Sequence, residues 1–265
     1  MNVGLLFPGE MGAEVGAAVR GRVLWASEGR SPATVRRAAD FEDVRTLPEL
    51  VAHSEIILSV CPPEIAEQVA LEVAGLGFHG LYVEANAISP ERVTRIAKDL
   101  DRVVDGAIIG RSGTHLYLSG DASDLREVAA LFAGSEVEAI PLEGGIGSAS
   151  ALKMAFAGWN KIGSALVAQA HAIARAYGVE AALEAEGVSG ERLGRVAARA
   201  WRWRPEMDEI GDTCAALGLP DGMARGAAEL FGRWSRHRDD ETVELRRLLD
   251  DLSSRPAPAV RPPPG

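Results

Sequence analysis

Cysteine is scarce in this chain. Cys61 and Cys214 are its only two, far apart and in neither a metal-ligand nor a redox spacing. A disulfide framework and a zinc site are both excluded, which suits a reducing cytosol. Positive charge is also in deficit: 28 Lys and Arg against 38 Asp and Glu give a formal net charge of -10. A phosphate backbone demands a basic stripe, so no nucleic-acid partner is expected. The Arg-rich stretches 192–204 and 233–247 are interleaved with Glu and Asp and read as solvated helix faces. The five histidines, at 53, 79, 115, 171 and 237, are scattered singly, and no metal is expected. Long apolar runs are missing too. Val3–Phe7 is too short for a signal peptide and no stretch reaches membrane-spanning length, so a cytoplasmic protein without a membrane partner is expected.

What the chain has is room for a core, with 265 residues of which 47% are hydrophobic, and one dominant helical period. From Ser148 to Tyr177, Leu152, Phe156, Trp159, Ile162, Leu166, Ala170, Ile173 and Tyr177 recur at steps of three and four. This spacing predicts one long buried helix running from one domain into the next. Lys153 sits in its second turn, after Gly144-Gly145-Ile146-Gly147, with Asn160 and Ser164 further along nearly the same face. Position alone favours a lysine snorkelling at a domain edge over a catalytic one.

Before that helix, apolar runs alternate with helical patterns. Val3–Phe7 leads through Pro8-Gly9 into a helix opened by Met11, Gly12, Ala13 and Gly16. Such a strand, tight turn and helix is how a dinucleotide pyrophosphate is held, although the first glycine of G-x-G-x-x-G is here Phe7. A second strand, Arg22–Ala26, is followed by Arg30-Ser31, which favours the 2′-phosphate of NADP; Glu28 leaves NAD as the alternative, and Ser31-Pro32 would also serve as helix N-cap and first residue. Glu55–Val60 and Leu81–Ala85 are continuous apolar runs ending in Cys61-Pro62-Pro63 and Asn86-Ala87-Ile88-Ser89-Pro90, as for parallel strands covered on two faces. Val103–Ile109, Thr114–Leu118 and Val137–Pro141 complete the strands, with a helix at Ser123–Phe132. Beyond residue 178 only helices are expected, at about 179–186, 189–201, 206–217, 222–237 and 240–252, separated by Gly or Pro. The proline-rich 255–265 is expected to be disordered.

In this order and spacing, these segments resemble the β-hydroxyacid dehydrogenase superfamily, which includes 3-hydroxyisobutyrate and 6-phosphogluconate dehydrogenases. The resemblance rests on Val3-Gly4-Leu5-Leu6-Phe7-Pro8-Gly9-Glu10-Met11-Gly12, on Arg30-Ser31, on Ser59-Val60-Cys61-Pro62-Pro63, on Ile88-Ser89-Pro90, on Asp105-Gly106-Ala107-Ile108-Ile109-Gly110, and most of all on Gly145-x-Gly147-x5-Lys153. The stretches 201–210 and 218–220 are similar to a bacterial subgroup whose helical domain has no assigned substrate.

The resemblance implies an α/β fold: a Rossmann-type N-terminal domain (1–147) that binds NADP, then an all-helical C-terminal domain (148–254) joined by a long interdomain helix and forming a homodimer. It implies hydride transfer on a small molecule, with Lys153 as general acid/base. Cofactor contacts fall on Gly9, Glu10, Met11, Gly12, Arg30, Ser31, Val60, Cys61, Pro62 and Asn86. Substrate contacts fall on Asn86, Ile109, Gly110, Arg111, Ala157 and Asn160. The substrate half departs from the family pattern: Ala85-Asn86-Ala87 replaces Ser-Ser-Thr, Ile109-Gly110-Arg111 replaces Ser-Gly-Gly, and Ala157 replaces an Asn. No small hydroxy acid is therefore carried over. An imine reductase of the same fold, in which the lysine position usually holds another residue, and a non-catalytic NADP-binding protein are the alternatives. A dimer is also expected because residues 179–252 look too few to enclose Trp201, Trp203, Phe231 and Trp234.

Overall fold

Apolar runs punctuated by Gly and Pro become strands, and the segments between them become helices. The computed structural model describes residues 1–110 and 114–253. Arg111 and the expected disordered tail lie outside the described residues. In chain order the elements are β1 (Asn2–Leu6), α1 (Glu10–Ala17), β2 (Arg22–Trp25), α2 (Pro32–Arg37), β3 (Glu42–Asp43), α3 (Leu47–His53), β4 (Ile56–Ser59), α4 (Ala66–Gly75), β5 (Leu81–Glu84), α5 (Pro90–Ile96), β6 (Arg102–Ile109), β7 (His115–Gly120), α6 (Ala122–Leu131) and β8 (Glu138–Pro141). Then come α7 (Ser148–Ala176), α8 (Glu180–Ala185), α9 (Leu193–Ala216), α10 (Gly222–Trp234) and α11 (Leu245–Ser253).

The strands form one sheet in the order β3-β2-β1-β4-β5-β6-β7-β8. Its pairings are parallel except β6 with β7. This is the doubly wound order of a Rossmann sheet, with the switch point between β1 and β4, and the chain's N-terminal part has that fold. Because strand side chains alternate, the central strands feed two cores. Val3, Leu5, Ile56, Leu58, Leu81 and Val83 pack with Val15 of α1 and Val128 of α6. Ile57, Tyr82 and Val103 pack with Leu50 of α3, Val69 of α4 and Val93 of α5. Gly4 is required by that packing: a Cβ there would lie 2.4 Å from Ser54 Oγ and 2.6 Å from Leu50 Cδ2.

The chain folds as two compact units, Met1–Phe156 and Ala157–Gly265, so the division falls inside α7. The second unit is helical as far as it is described. Phe231, Trp234, Met207 and Leu248 are wholly buried in it, and the Trp234 indole N–H donates to the Leu248 carbonyl at 2.9 Å. Phe231 and Trp234 thus find their cover within the chain, and only Trp201 and Trp203 stay half-buried, which removes the packing argument for a dimer.

Three expectations for the helices need correction. Pro205 does not separate two helices; α9 runs through it, with Ala197, Ala198 and Ala200 buried on one side and Met207 and Ile210 on the other. Packing on both flanks outweighs the lost N–H. The helix expected from 240 starts only at Leu245, because Asp240 accepts the Thr242 N–H (3.0 Å) and hydroxyl in a local turn. The long α7 exists, but although Met154 is buried and Leu152 and Ile162 are half-buried, most large apolar residues of its period are exposed. Trp159, Leu166, Ile173 and Tyr177 are 77%, 57%, 56% and 81% exposed, and the buried side carries small residues such as Ala157, Ala165, Ala168 and Ala174. Small residues let neighbouring helices approach closely, so packing selected the face of least bulk.

Candidate active site

The loop after β1 is built on backbone geometry. Phe7 has φ +58°, in the left-handed region that disfavours a side chain by roughly 1–2 kcal/mol. Its carbonyl accepts the Gly9 N–H at 2.6 Å, and a Cβ on Gly12 would stand 2.8 Å from the same oxygen and 3.4 Å from Val60 Cβ. Only glycine fits at 12. Gly9 is the N-cap of α1 and no side chain caps that helix, so its first N–H groups and dipole are offered to a ligand at the β1/β4 switch point. Glu10 and Met11 are exposed on the first turn, Gly12 is buried and Gly9 half-buried.

Arg30 lies beyond β2 and comes back to this loop: its guanidinium carbon sits 3.6 Å from the centroid of the Phe7 ring. Burial lowers its pKa from the ordinary arginine value, and its Nε has no partner among the described residues. Ser31 is the N-cap of α2, its hydroxyl accepting the Thr34 N–H at 3.2 Å ahead of Pro32. The capping alternative is therefore realised, while Ser31 itself remains exposed.

Lys153 is placed by an unusual anchor. Asp105, wholly buried on β6, accepts the Gly147 N–H (3.0 Å), the Ser150 N–H (2.9 Å), the Ser150 hydroxyl (2.7 Å) and the Ser119 hydroxyl (3.0 Å). Ser119 of β7 in turn accepts the Ala149 N–H at 3.0 Å. The sheet thus caps the N-terminus of α7 in place of a local side chain. Burial raises the Asp105 pKa despite these donors. Gly147 adopts φ +101°, with Pro90 Cβ 3.3 Å from where its own Cβ would be, so the head of α7 rests on the first residue of α5.

From this head, Lys153 sends its Nζ to the Ile108 carbonyl at 2.5 Å, near the carboxyl end of β6. Burial lowers its pKa from 10.5 to about 8, and no carboxylate pairs with it among the described residues. An amine poised near 8 can hold or release a proton within the physiological range.

The other expected residues have mixed placements. Asn86 is 3% exposed and its side chain is committed: Oδ1 accepts the Cys61 N–H (2.5 Å) and Nδ2 donates to Ser59 Oγ (2.9 Å). It ties the ends of β4 and β5 together. Its own N–H donates to Glu84 Oε1 at 3.1 Å, and burial pushes the Glu84 carboxyl up to about 8. Val60 is half-buried, Cys61 buried and Pro62 exposed; burial pushes the Cys61 thiol up to about 12, which leaves it inert. Ile109 is buried and Gly110 exposed at the end of β6. On α7, Ala157 is buried and Asn160 exposed, both in the part that belongs to the second unit.

The sequence motif around Asp105 gave that residue no role, and Glu84, Ser119 and Ser150 carried no signal of their own. A carboxylate inside an apolar strand run was the available clue, because such a charge is kept only with partners. Nothing in the spacing pointed to Arg30 on Phe7.

Residues 174–234 match a family described as a domain of unknown function, DUF1932. No curated protein matches the chain. Among solved structures, it is similar to a conserved protein of unknown function reported to resemble 3-hydroxyacid dehydrogenases, at 24% identity and a TM-score of 0.67, covering 94% of this chain and 99% of that one. The Mycobacterium tuberculosis 3-hydroxyisobutyrate dehydrogenase, solved with L-serine, gives 17% identity and 0.68 over 96% and 99%. An imine reductase from Myxococcus stipitatus in complex with NADP+ gives 20% and 0.53 over 94% and 100%. The doubly wound sheet, the long helix headed by Lys153 and these likenesses together give the chain the β-hydroxyacid dehydrogenase-like fold, with the DUF1932 segment in its helical part.

Proposed function

We propose that the chain is an NADP-dependent oxidoreductase that transfers a hydride between the nicotinamide and a carbonyl or alcohol carbon of a small molecule, with Lys153 as general acid/base. The observation that carries this reading is Lys153 itself: an amine whose pKa burial lowers to about 8, bound among the described residues to a backbone carbonyl and fixed on an α7 head clamped by Asp105. The residues present suit the cofactor. Gly12 leaves no room for a side chain under the turn, α1 opens at Gly9 with no side-chain cap, and Arg30 stands beside the loop with its Nε unpartnered among the described residues.

NADP, when bound, supplies or takes up the hydride. The α1 N-terminus would hold the pyrophosphate and Arg30 the 2′-phosphate. In the reducing direction Lys153 donates a proton to the substrate oxygen as charge develops there, and its ammonium stabilises that charge; in the oxidising direction the neutral amine takes the proton back. Ile108 O gives up its hydrogen bond as the substrate oxygen arrives. NAD remains the second cofactor choice through Glu28.

Reduction of a C=N bond is the second reading, favoured by the likeness to imine reductases of the same fold. Titrating the purified protein with NADPH and then screening ketones and cyclic imines separates the cases. Turnover of a ketone that is lost in Lys153→Met supports the leading reading; turnover of cyclic imines alone supports the second; binding without turnover of either supports a non-catalytic NADP-binding protein.

We further propose a homodimer through α7. Trp159, Leu166 and Ile173 recur every seven residues and, with Tyr177, form an exposed apolar stripe of the kind that a second copy covers. Two cysteines, both free and one of them buried, fit a cytoplasmic setting.

A further inference from the structure

Phe7 occupies the position where a glycine would open the nucleotide loop, and it adopts the glycine-like conformation all the same, at φ +58°. A bulky residue held in that region marks a place where the side chain has a task. The ring of Phe7 is covered by the Arg30 guanidinium at 3.6 Å, and the Arg30 side chain makes no hydrogen bond and no ion pair among the described residues. Other arginines among the described residues are engaged differently; Arg22, Arg95, Arg102 and Arg225 each meet a carboxylate. The difference matters chemically. A carboxylate partner would fix Arg30 by consuming its N–H edge, whereas an aromatic partner fixes the plane through its face and leaves the edge available. Thr34 and Arg37 of α2 stand nearby in sequence, and Arg37 Nε donates to the Pro8 carbonyl of the same loop at 3.4 Å, so the end of α2 and the β1 loop are tied on this side.

We propose that Phe7 is a specificity-determining residue for the cofactor: its ring seats the Arg30 guanidinium by one face and presents the N–H edge to a phosphate monoester on the adenosine ribose. The inference rests on the dinucleotide reading above. It converts an apparent defect of the glycine fingerprint into the support of its phosphate receptor.

The test is equilibrium binding of NADPH and NADH to the full chain, read by fluorescence titration, with thermal melting of the free protein as a check on folding. Phe7→Leu keeps apolar bulk and the same backbone demand but removes the ring's π face. It is expected to weaken NADPH about three- to thirtyfold, the range of a partly buried cation–π contact, and to leave NADH within about twofold. Phe7→Tyr should retain the wild-type preference, and Arg30→Ala should abolish it. Unchanged NADPH affinity in Phe7→Leu, or equal losses for both cofactors, overturns the proposal while leaving the dinucleotide reading in place. A wild-type protein that binds neither cofactor overturns both. Should Phe7→Leu fail to fold, Phe7→Gly relieves the backbone and carries the same forecast for the preference.

Discussion

The carboxylate of Asp105 accepts both the backbone N–H and the hydroxyl of Ser150, so a strand residue caps the helix that carries Lys153. Asp105→Asn would turn an amide NH2 toward some of the four donors that the carboxylate now accepts. We expect a loss of at least about 2 kcal/mol in unfolding free energy by denaturant titration, the scale of breaking buried hydrogen bonds to a charged group. A stability equal to wild type would refute the capping role.

For Lys153→Met, turnover should fall at least about a hundredfold, the lower end for a lost positioned acid, with NADPH affinity kept within a few-fold. In the wild type, carbonyl reduction should decline as pH rises through about 8, where the ammonium is lost, and alcohol oxidation should rise over the same interval. The same shift acts on stability. Unfolded, the amine holds its proton up to its ordinary 10.5, but folded it releases it at about 8, so between those values the unfolded chain binds more protons and wild-type stability grows with pH. At pH 7 the folded protein bears the desolvated charge in full, and Lys153→Met should be the more stable by up to about 3 kcal/mol. Melting curves at pH 7 and 10 that show no narrowing of this gap would contradict it.

Glu84 carries the opposite sign. Its carboxyl is raised from 4.5 to about 8, so between those values the unfolded chain loses the proton first and stability falls as pH rises. Glu84→Gln keeps the acceptor for the Asn86 N–H and removes the titration. It should match wild type near pH 4.5 and exceed it progressively up to pH 8, measured by thermal melting across that range.

The α7 stripe predicts the oligomer. Leu166→Asp with Ile173→Asp should halve the mass measured by light scattering at micromolar concentration, without lowering the helix content of the chain. A wild-type protein that is already monomeric would rule the dimer out.

Most of the sheet was legible because its central strands are apolar runs closed by Pro8-Gly9, Pro62-Pro63 and Pro90, and buried parallel strands leave that signature, whereas the edge strand β3 is two exposed acidic residues and left none. The short α3 was missed although Thr46 and Glu49 mark its start, Thr46 Oγ1 accepting the Glu49 N–H at 3.4 Å. Pro205 misled because a local penalty was weighed without the packing on either side of it. Lys153 and Gly147 were readable from their spacing, but the partners that give them meaning, Asp105 of β6 and Pro90 at the start of α5, lie far away in sequence. Periodicity also identified α7 while assigning its bulky face to the interior, since spacing alone cannot say which side of a helix meets other helices.

The boundary between the two compact units lies within α7, not in a linker. A protease seeking extended chain finds none there, and a cut near Phe156 would require several turns of hydrogen-bonded helix to open first. Limited proteolysis should therefore cut the exposed loops of the described chain before it cuts α7.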